Sequence, residues 1–484
     1  MRASFKITLL LFLAFFTFQS CEDMDDVAPS QSLEINNFIW KGLNLYYLWQ
    51  ADVPNLADNR FANQTELNTF LKGYSKPEDL FDALRVDKSI AIDRFSWIVS
   101  DYLELEGMLQ GTTKNDGVDF GLRYKSAGST EIFGFVRYII PNSNASTKDI
   151  KRGDIFYAVN GTPLTINNYE TLLLNSESYT LNLANFDGGA ITPNGKSVAL
   201  TKTELSENPI LLNNVIVSGA HKIGYLMYNG FYPNYDTQLN DAFATLNAQG
   251  ITDLVLDLRY NGGGSVQTAT RLASMITGQF TGKIFSKQRW NNKINAYFET
   301  EDPDALNNLF TDKVGTDLLN SLNLTKIYIL TSKSTASASE LVINGLKPYI
   351  DVVQIGDMTV GKNVGSITIY DSPTFGKENR NPNHRYAMQP IVLKIVNAAD
   401  FGDYFNGLKP TYELKENLGD MGILGNSSEP LLSTAIGQIT GTAKMLKQSK
   451  GKDFQYFKDA KSINGVQNQM YIEKAPAGLL KALE

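Results

Sequence analysis

Between Leu33 and about Leu103 the apolar residues recur at helical spacing, with Ile35, Phe38, Ile39 and Leu43 leading to Tyr46 and Tyr47, and Leu80, Phe81 and Leu84 following. The pattern predicts a helical N-terminal domain over 33–103. Its last segment, 93–98, is dense in aromatic residues and is expected to pack as core against its neighbour. From Glu104 to Leu205 the texture changes to short alternating runs separated by turn residues, such as 132–138 and 155–161, which predicts a β-rich module over 104–205. From about Asn208 to Thr440 strands alternate with amphipathic helices. The run 223–228 reads as a strand, and Leu239, Ala242, Phe243 and Leu246 mark a helix face that stops at Gly250. Leu254 to Leu258 is the next strand, followed by a helix with Val266, Ala269, Leu272 and Ile276 on its apolar face. Such alternation over 208–440 predicts an α/β core, a sheet covered by helices with its site on loops at the strand ends. Residues 441–484 are lysine-rich and then mixed, and are assigned only as a C-terminal appendage.

Composition narrows the class. With 484 residues and 43% apolar content the chain can bury more than one core, so a multi-domain α/β protein is expected. A net charge of −7 argues against a sequence-independent nucleic-acid binder, which would present a basic face. Zinc-type Cys/His spacing is absent, and no metal or organic cofactor is implied. At the N-terminus Arg2 and Lys6 precede an apolar stretch over 7–18, followed by Ser20 and the single cysteine, Cys21. This is the layout of a secretory signal, too short to span a membrane, which takes roughly 20 apolar residues. A lone cysteine in that place resembles the acylated first residue of bacterial lipoproteins. That resemblance implies a signal peptide over 1–21, lipidation at Cys21, an acidic tether over 22–32 and a membrane-anchored location in a Gram-negative-type cell envelope, periplasmic or surface-exposed. The bland reading of Cys21 is an unpaired thiol beside an ordinary cleavage site.

Candidate chemistry concentrates in three places. Ser337 lies in the run Ser334-Thr335-Ala336-Ser337-Ala338-Ser339-Glu340, after the apolar stretch 327–330 and before the helical pattern Ala338, Leu341, Val342 and Leu346. Strand, tight turn and helix would put a hydroxyl at a helix N-terminus. Asp257-Leu258-Arg259-Tyr260-Asn261-Gly262-Gly263-Gly264 is a strand end opening into glycines that can point backbone amides at a bound oxygen. With only two histidines, His221 and His384, a Ser-His arrangement has few candidate bases. Lysine can replace histidine if burial holds it neutral, several units below its usual pKa of about 10.4. Lys362, in Thr359-Val360-Gly361-Lys362, is such a candidate. Each motif also has a plain structural reading. Ser337 and Glu340 have capping-box spacing, the glycines suit a tight βα turn, and Lys362 alone would be a solvated loop lysine. No Gly-Lys-Ser/Thr follows the glycines, which disfavours a nucleotide site. Lys347 lies about 15 Å along the helix from Ser337, too far to take its proton, whereas Lys333 stays open.

Taken together, these motifs resemble the C-terminal processing, or tail-specific, proteases, a family with a Ser-Lys dyad and a PDZ domain. In that family the base follows the nucleophile by 25 residues, the interval between Ser337 and Lys362, which selects Ser337 over Ser334 and Ser339. The resemblance implies oxyanion donors at the amides of Gly263 and Ala338, Glu340 orienting the lysine, and a core of the ClpP/crotonase-like fold. A nearby carboxylate raises a lysine pKa, so burial of Lys362 must outweigh Glu340 or the two must be held apart. Segments 139–145, 150–155 and 159–161 resemble a PDZ domain, which implies a peptide-binding strand edge at Phe120, Gly121 and Leu122. The expected function is an exported serine endopeptidase that engages polypeptide substrates near their C-termini. The alternative is a non-catalytic lipoprotein binding peptides or hydrophobic ligands on the same fold.

Overall fold

The computed structural model describes residues 33–86, 92–442, 453–463, 470–473, 475 and 479. The expected signal, tether and Cys21 lie outside the described residues. The N-terminal helices follow the predicted periodicity. Glu34–Tyr46 buries Phe38, Ile39, Trp40 and Leu43; Asn63 caps Gln64–Leu71 by accepting from the Glu66 amide; Pro77–Ala83 opens on its proline. They are less independent than the sequence suggests, because their buried residues belong to the same hydrophobic cluster as the α/β core. Strand Trp97–Val99 pairs with Ala387–Gln389, and helix Tyr102–Leu109 runs across the expected boundary at 103/104. The partner of that strand lies in the far half of the chain, where local periodicity gives no sign of it.

The β module is an antiparallel array in the order Val118–Tyr124, Ile132–Ile139, Ile155–Val159, Ser178–Phe186 and Ile191–Thr201. It has a core of its own, including Phe120, Leu122, Ile132, Val136, Phe156 and Val159. Its edge differs from expectation. Strand Tyr456–Asp459 pairs antiparallel with Val118–Tyr124, setting Tyr456 opposite Arg123, Lys458 opposite Leu122 and Asp459 opposite Gly121. The backbone of Gly121 and Leu122 is therefore not an open peptide-binding edge here, with Phe120 just beyond the paired residues, and the described part of 441–484 is built into the fold rather than appended to it. Phe120 and Leu122 turn their side chains into the module's core, so only main chain was available on that edge.

The α/β core carries a six-stranded sheet in the order Ile210–Ser218, His221–Tyr228, Asp253–Asp257, Lys326–Thr331, Asp351–Gly356 and Tyr412–Glu413, the first pair antiparallel and the rest parallel. Alternate residues of each strand face opposite sides. Leu226, Tyr228, Leu254, Leu256, Ile327 and Ile329 join the cluster shared with helices Asp236–Ala248, Val266–Thr277 and Ala338–Leu346. Tyr225, Met227, Val255, Tyr328 and Leu330 pack against helix Pro430–Thr440 through Leu431, Leu432 and Ala435. Burial on both faces accounts for the near-continuous apolar runs read in the sequence. Helix Asp236–Ala248 gives way at Gly250, whose φ of +65° a side chain would disfavour. The parallel strands place the C-terminal ends Asp257, Thr331 and Gly356 side by side, and the glycine, serine and lysine loops leave from those three ends.

Candidate active site

Asn261 fastens the glycine loop to the serine turn. Its carbonyl accepts from the Ala336 amide and the Ser339 hydroxyl, each at 3.1 Å, and its Nδ2 donates to the Tyr228 carbonyl at 2.8 Å. Thr335 Oγ1 donates to the Leu258 carbonyl at 2.9 Å, and the Val360 amide donates to the Thr335 carbonyl at 3.0 Å. The glycines admit close approach: Gly264 has φ +141°, and a Cβ there would stand 2.3 Å from the Phe231 carbonyl oxygen. Ser337 opens helix Ala338–Leu346 at φ +66°, a strained conformation for a residue with a side chain.

Glu340, wholly buried on that helix, joins the serine and lysine loops. Its Oε2 accepts from the amides of Ser337 at 2.7 Å and Lys362 at 2.9 Å. Its Oε1 accepts from the Gly361 amide at 2.7 Å and from the Thr359 hydroxyl. A single carboxylate oxygen thus touches the backbone of both Ser337 and Lys362. Burial pushes the Glu340 pKa up, and the four donors act against that rise. The capping-box reading of the sequence is met in its glutamate half. The serine half is present too, with the Ser337 side chain set toward the Glu340 amide, but too loosely for a hydrogen bond, so Ser337 Oγ stays a buried atom without one.

Lys362 and Ser337 are both 0% exposed. Lys362 Nζ, like Ser337 Oγ, has no hydrogen-bond partner among the described residues, and it sits 4.8 Å from the centroid of the Phe95 ring. Burial holds the lysine pKa down to about 7, with nearby Arg94 adding to the effect and Asp93 and Glu340 opposing it. Burial therefore outweighs the carboxylates, and the Glu340 carboxylate accepts from main-chain amides and a hydroxyl. The neighbouring serines are committed elsewhere. Ser334 Oγ donates to Asp459 and accepts from Arg137, both at 2.7 Å, and Ser339 Oγ donates to Asn261.

Ala338 is the first residue of its helix, where amides lack an intrahelical acceptor. The Gly263 amide differs from expectation: it donates to Asn261 Oδ1 at 2.8 Å, so this donor is already engaged. Asn261 is two residues away, and its short side chain folds back onto the turn. His221 pairs with Asp253 at 2.8 Å and His384 with Asp371 at 2.9 Å, so neither is bonded to Ser337. Lys333 is exposed on a cavity of about 340 Å³ that also touches Arg94, Ser334, Thr359, Val360 and Phe405. Lys347 is exposed beyond the far end of the helix.

The segment 93–95 was expected only to pack. It instead borders Lys362: Phe95 lies under the ammonium, Arg94 Nη2 donates to the Gly361 carbonyl at 2.9 Å, and Asp93 acts on the lysine charge. Asp93 is itself held by Tyr47 Oη at 2.7 Å and by the amides of Phe95 and Ser96. Its aromatic density was the one signal present in the sequence, and it points equally to core.

A buried hydroxyl and a lysine poised near neutrality, on loops held by one carboxylate beside helix-start amides, are the parts that acyl transfer requires. The profile of peptidase family S41 matches residues 222–371, and that of the peptidase S41 N-terminal domain matches residues 34–97. A chloroplastic C-terminal processing peptidase of Tetradesmus obliquus is 24% identical over 335 residues, covering 65% of this chain and 67% of that protein. The chloroplastic carboxyl-terminal-processing peptidase 1 of Arabidopsis thaliana is 25% identical over 321 residues, covering 64% of this chain and 60% of that protein. The chain thus spans about two thirds or less of the length of these curated relatives. A crystal structure of a candidate S41 protease from Bacteroides fragilis aligns with a TM-score of 0.64 at 27% identity, over 84% of this chain and 98% of that one. The peptidase family S41 profiles thus match this chain both in its N-terminal helices and across the stretch that holds the glycine loop, Ser337 and Lys362.

Proposed function

We propose that the protein is a serine endopeptidase of the C-terminal processing type, acting on polypeptides through Ser337 and Lys362. The observation that carries this reading is the pair of buried, unpartnered atoms, Ser337 Oγ and Lys362 Nζ, on loops that a single Glu340 oxygen ties together. A buried polar group without a partner costs about 1–3 kcal/mol, and a reacting centre accounts for a hydroxyl and an amine left so on adjoining loops.

In this mechanism neutral Lys362 takes the Ser337 proton as Oγ attacks the peptide carbonyl, then returns it to the leaving amine. Water, deprotonated by the same lysine, resolves the acyl-enzyme. The Ala338 amide receives the oxyanion, and Gly263 adds a second donor once its amide leaves Asn261. One such donor is worth about 100- to 1,000-fold in rate. No hydrogen bond joins Ser337 Oγ to Lys362 Nζ, a looseness common before substrate tightens a catalytic pair. Glu340 acts as a positioning residue through the Lys362 amide. The leader with Cys21 supports export and lipid anchoring in a bacterial envelope.

Cleavage of an unfolded protein by the wild type, Ser337→Ala and Lys362→Ala tests the reading. Loss in both variants with folding intact is expected. Equal activity in all three overturns the dyad, and no wild-type cleavage across several substrates puts a non-catalytic binding role first.

A further inference from the structure

The described C-terminal segment sits in the protein as a ligand would. Strand Tyr456–Asp459 completes the Val118–Tyr124 edge, and the Tyr124 amide donates to the Gln455 carbonyl at 3.0 Å. Arg123 Nη1 donates to the Phe454 carbonyl at 2.7 Å. Phe457 packs edge-on against Tyr124 and Tyr169, both with ring centroids at 5.2 Å, and Phe454 packs against Phe133 at 4.9 Å. The Asp459 carboxylate is buried, accepting from Arg137 Nη2 at 3.0 Å, Ser334 Oγ at 2.7 Å and Tyr456 Oη at 3.0 Å. This segment therefore reaches the turn that carries Ser337. Tyr456 and Asp459 wall the cavity of about 340 Å³ whose other lining comes from the serine and lysine loops and their neighbours. Farther on, Met470–Tyr471 lies parallel to Gly264–Ser265, at the glycine loop itself.

A main-chain ladder, aromatic side chains in pockets and a carboxylate on a buried arginine are the contacts by which a sheet edge takes up an extended polypeptide. We propose that residues 454–459 are a resident pseudo-substrate. The edge Val118–Tyr124 is the seat of an incoming polypeptide strand, and the chain's own segment holds that seat until substrate displaces it. Tethering makes the occupant effectively concentrated, so it is present before any substrate arrives. The consequence for cleavage rests on the proposed peptidase function, whereas the occupancy itself does not.

A reversible lock tests both parts. In the full chain with Cys21→Ser, the substitutions Arg123→Cys and Tyr456→Cys face each other across the ladder, a separation a disulfide can span. Complete crosslinking is expected to slow cleavage of unfolded casein by about tenfold or more, with recovery on reduction, because the occupant then cannot leave its seat. Equal rates before and after reduction, with the crosslink verified, overturn the proposal. The second readout needs no activity. A labelled peptide of residues 453–463 is titrated into full-chain Ser337→Ala, with and without Phe457→Ala to loosen the resident strand. Binding about tenfold tighter to the loosened chain is expected, and equal or absent binding to both overturns the occupancy. Failure of the peptidase reading would appear as no cleavage in any form, leaving this binding comparison to decide.

Discussion

Truncating Phe95 to alanine tests whether burial is what makes Lys362 a base. The Lys362 pKa falls from 10.5 to about 7, a difference of about 5 kcal/mol at 1.36 kcal/mol per unit. Phe95 has two opposing effects. Its ring face attracts the ammonium by about 0.5–2 kcal/mol, which raises the pKa, and its bulk keeps water from Nζ, which lowers it. The larger magnitude belongs to burial, and Phe95 is itself only half-buried, so removing the ring opens Nζ to solvent. Recovery of about 1.5 units would leave roughly 3% of the lysine neutral at pH 7, against about half in the wild type, a loss of about 15-fold. The assay is kcat/KM on an unfolded protein from about pH 5.5 to 10. The wild-type rate should rise with a midpoint near pH 7. The Phe95→Ala rate should rise with a midpoint above pH 8, converging on the wild type at alkaline pH. A flat wild-type profile would refute Lys362 as the base, and a pH-independent loss would mean that Phe95 matters only for packing.

Four further outcomes are expected. Lys362→Met should abolish cleavage yet raise stability at neutral pH. The folded pKa lies below the unfolded one, so the unfolded chain binds the extra proton, and the gain of up to about 5 kcal/mol at or below pH 7 should fade toward pH 10.5 in denaturant titrations. Ser337→Gly and Ser337→Ala should both be inactive, with glycine about 1 kcal/mol more stable by thermal unfolding because it relieves the positive φ. Glu340→Gln turns an amide toward a shell made only of donors, which should lower stability by about 1–3 kcal/mol or more and slow cleavage, read by thermal melting and kcat. Gly264→Ala forces a Cβ against the Phe231 carbonyl and should misplace the glycine loop, read as a large loss of kcat together with a lowered Tm.

What the sequence determined by itself was local. The near-continuous apolar runs of the sheet strands, the helix faces at Leu239 to Leu246 and Val266 to Ile276, and the stop at Gly250 are properties of adjacent residues, and each appears at its expected place. Ser337 and Lys362 are candidates on residue type and on the 25-residue interval that the family resemblance implies. Tertiary structure alone decided the rest. Lys362 is a base candidate because Phe95, from the opposite end of the chain, lies against its amine and Arg94 adds a like charge nearby. The Gly263 amide is engaged because Asn261 folds back on it. The edge at Gly121 and Leu122 is filled because a lysine-bearing strand over 300 residues away has aromatic rings that fit the β module. Periodicity reports which face of an element shuns water. Which faces meet, and therefore which charges lose their solvent and shift their pKa, depends on contacts distant in sequence whose free energies appear only when the chain is closed upon itself.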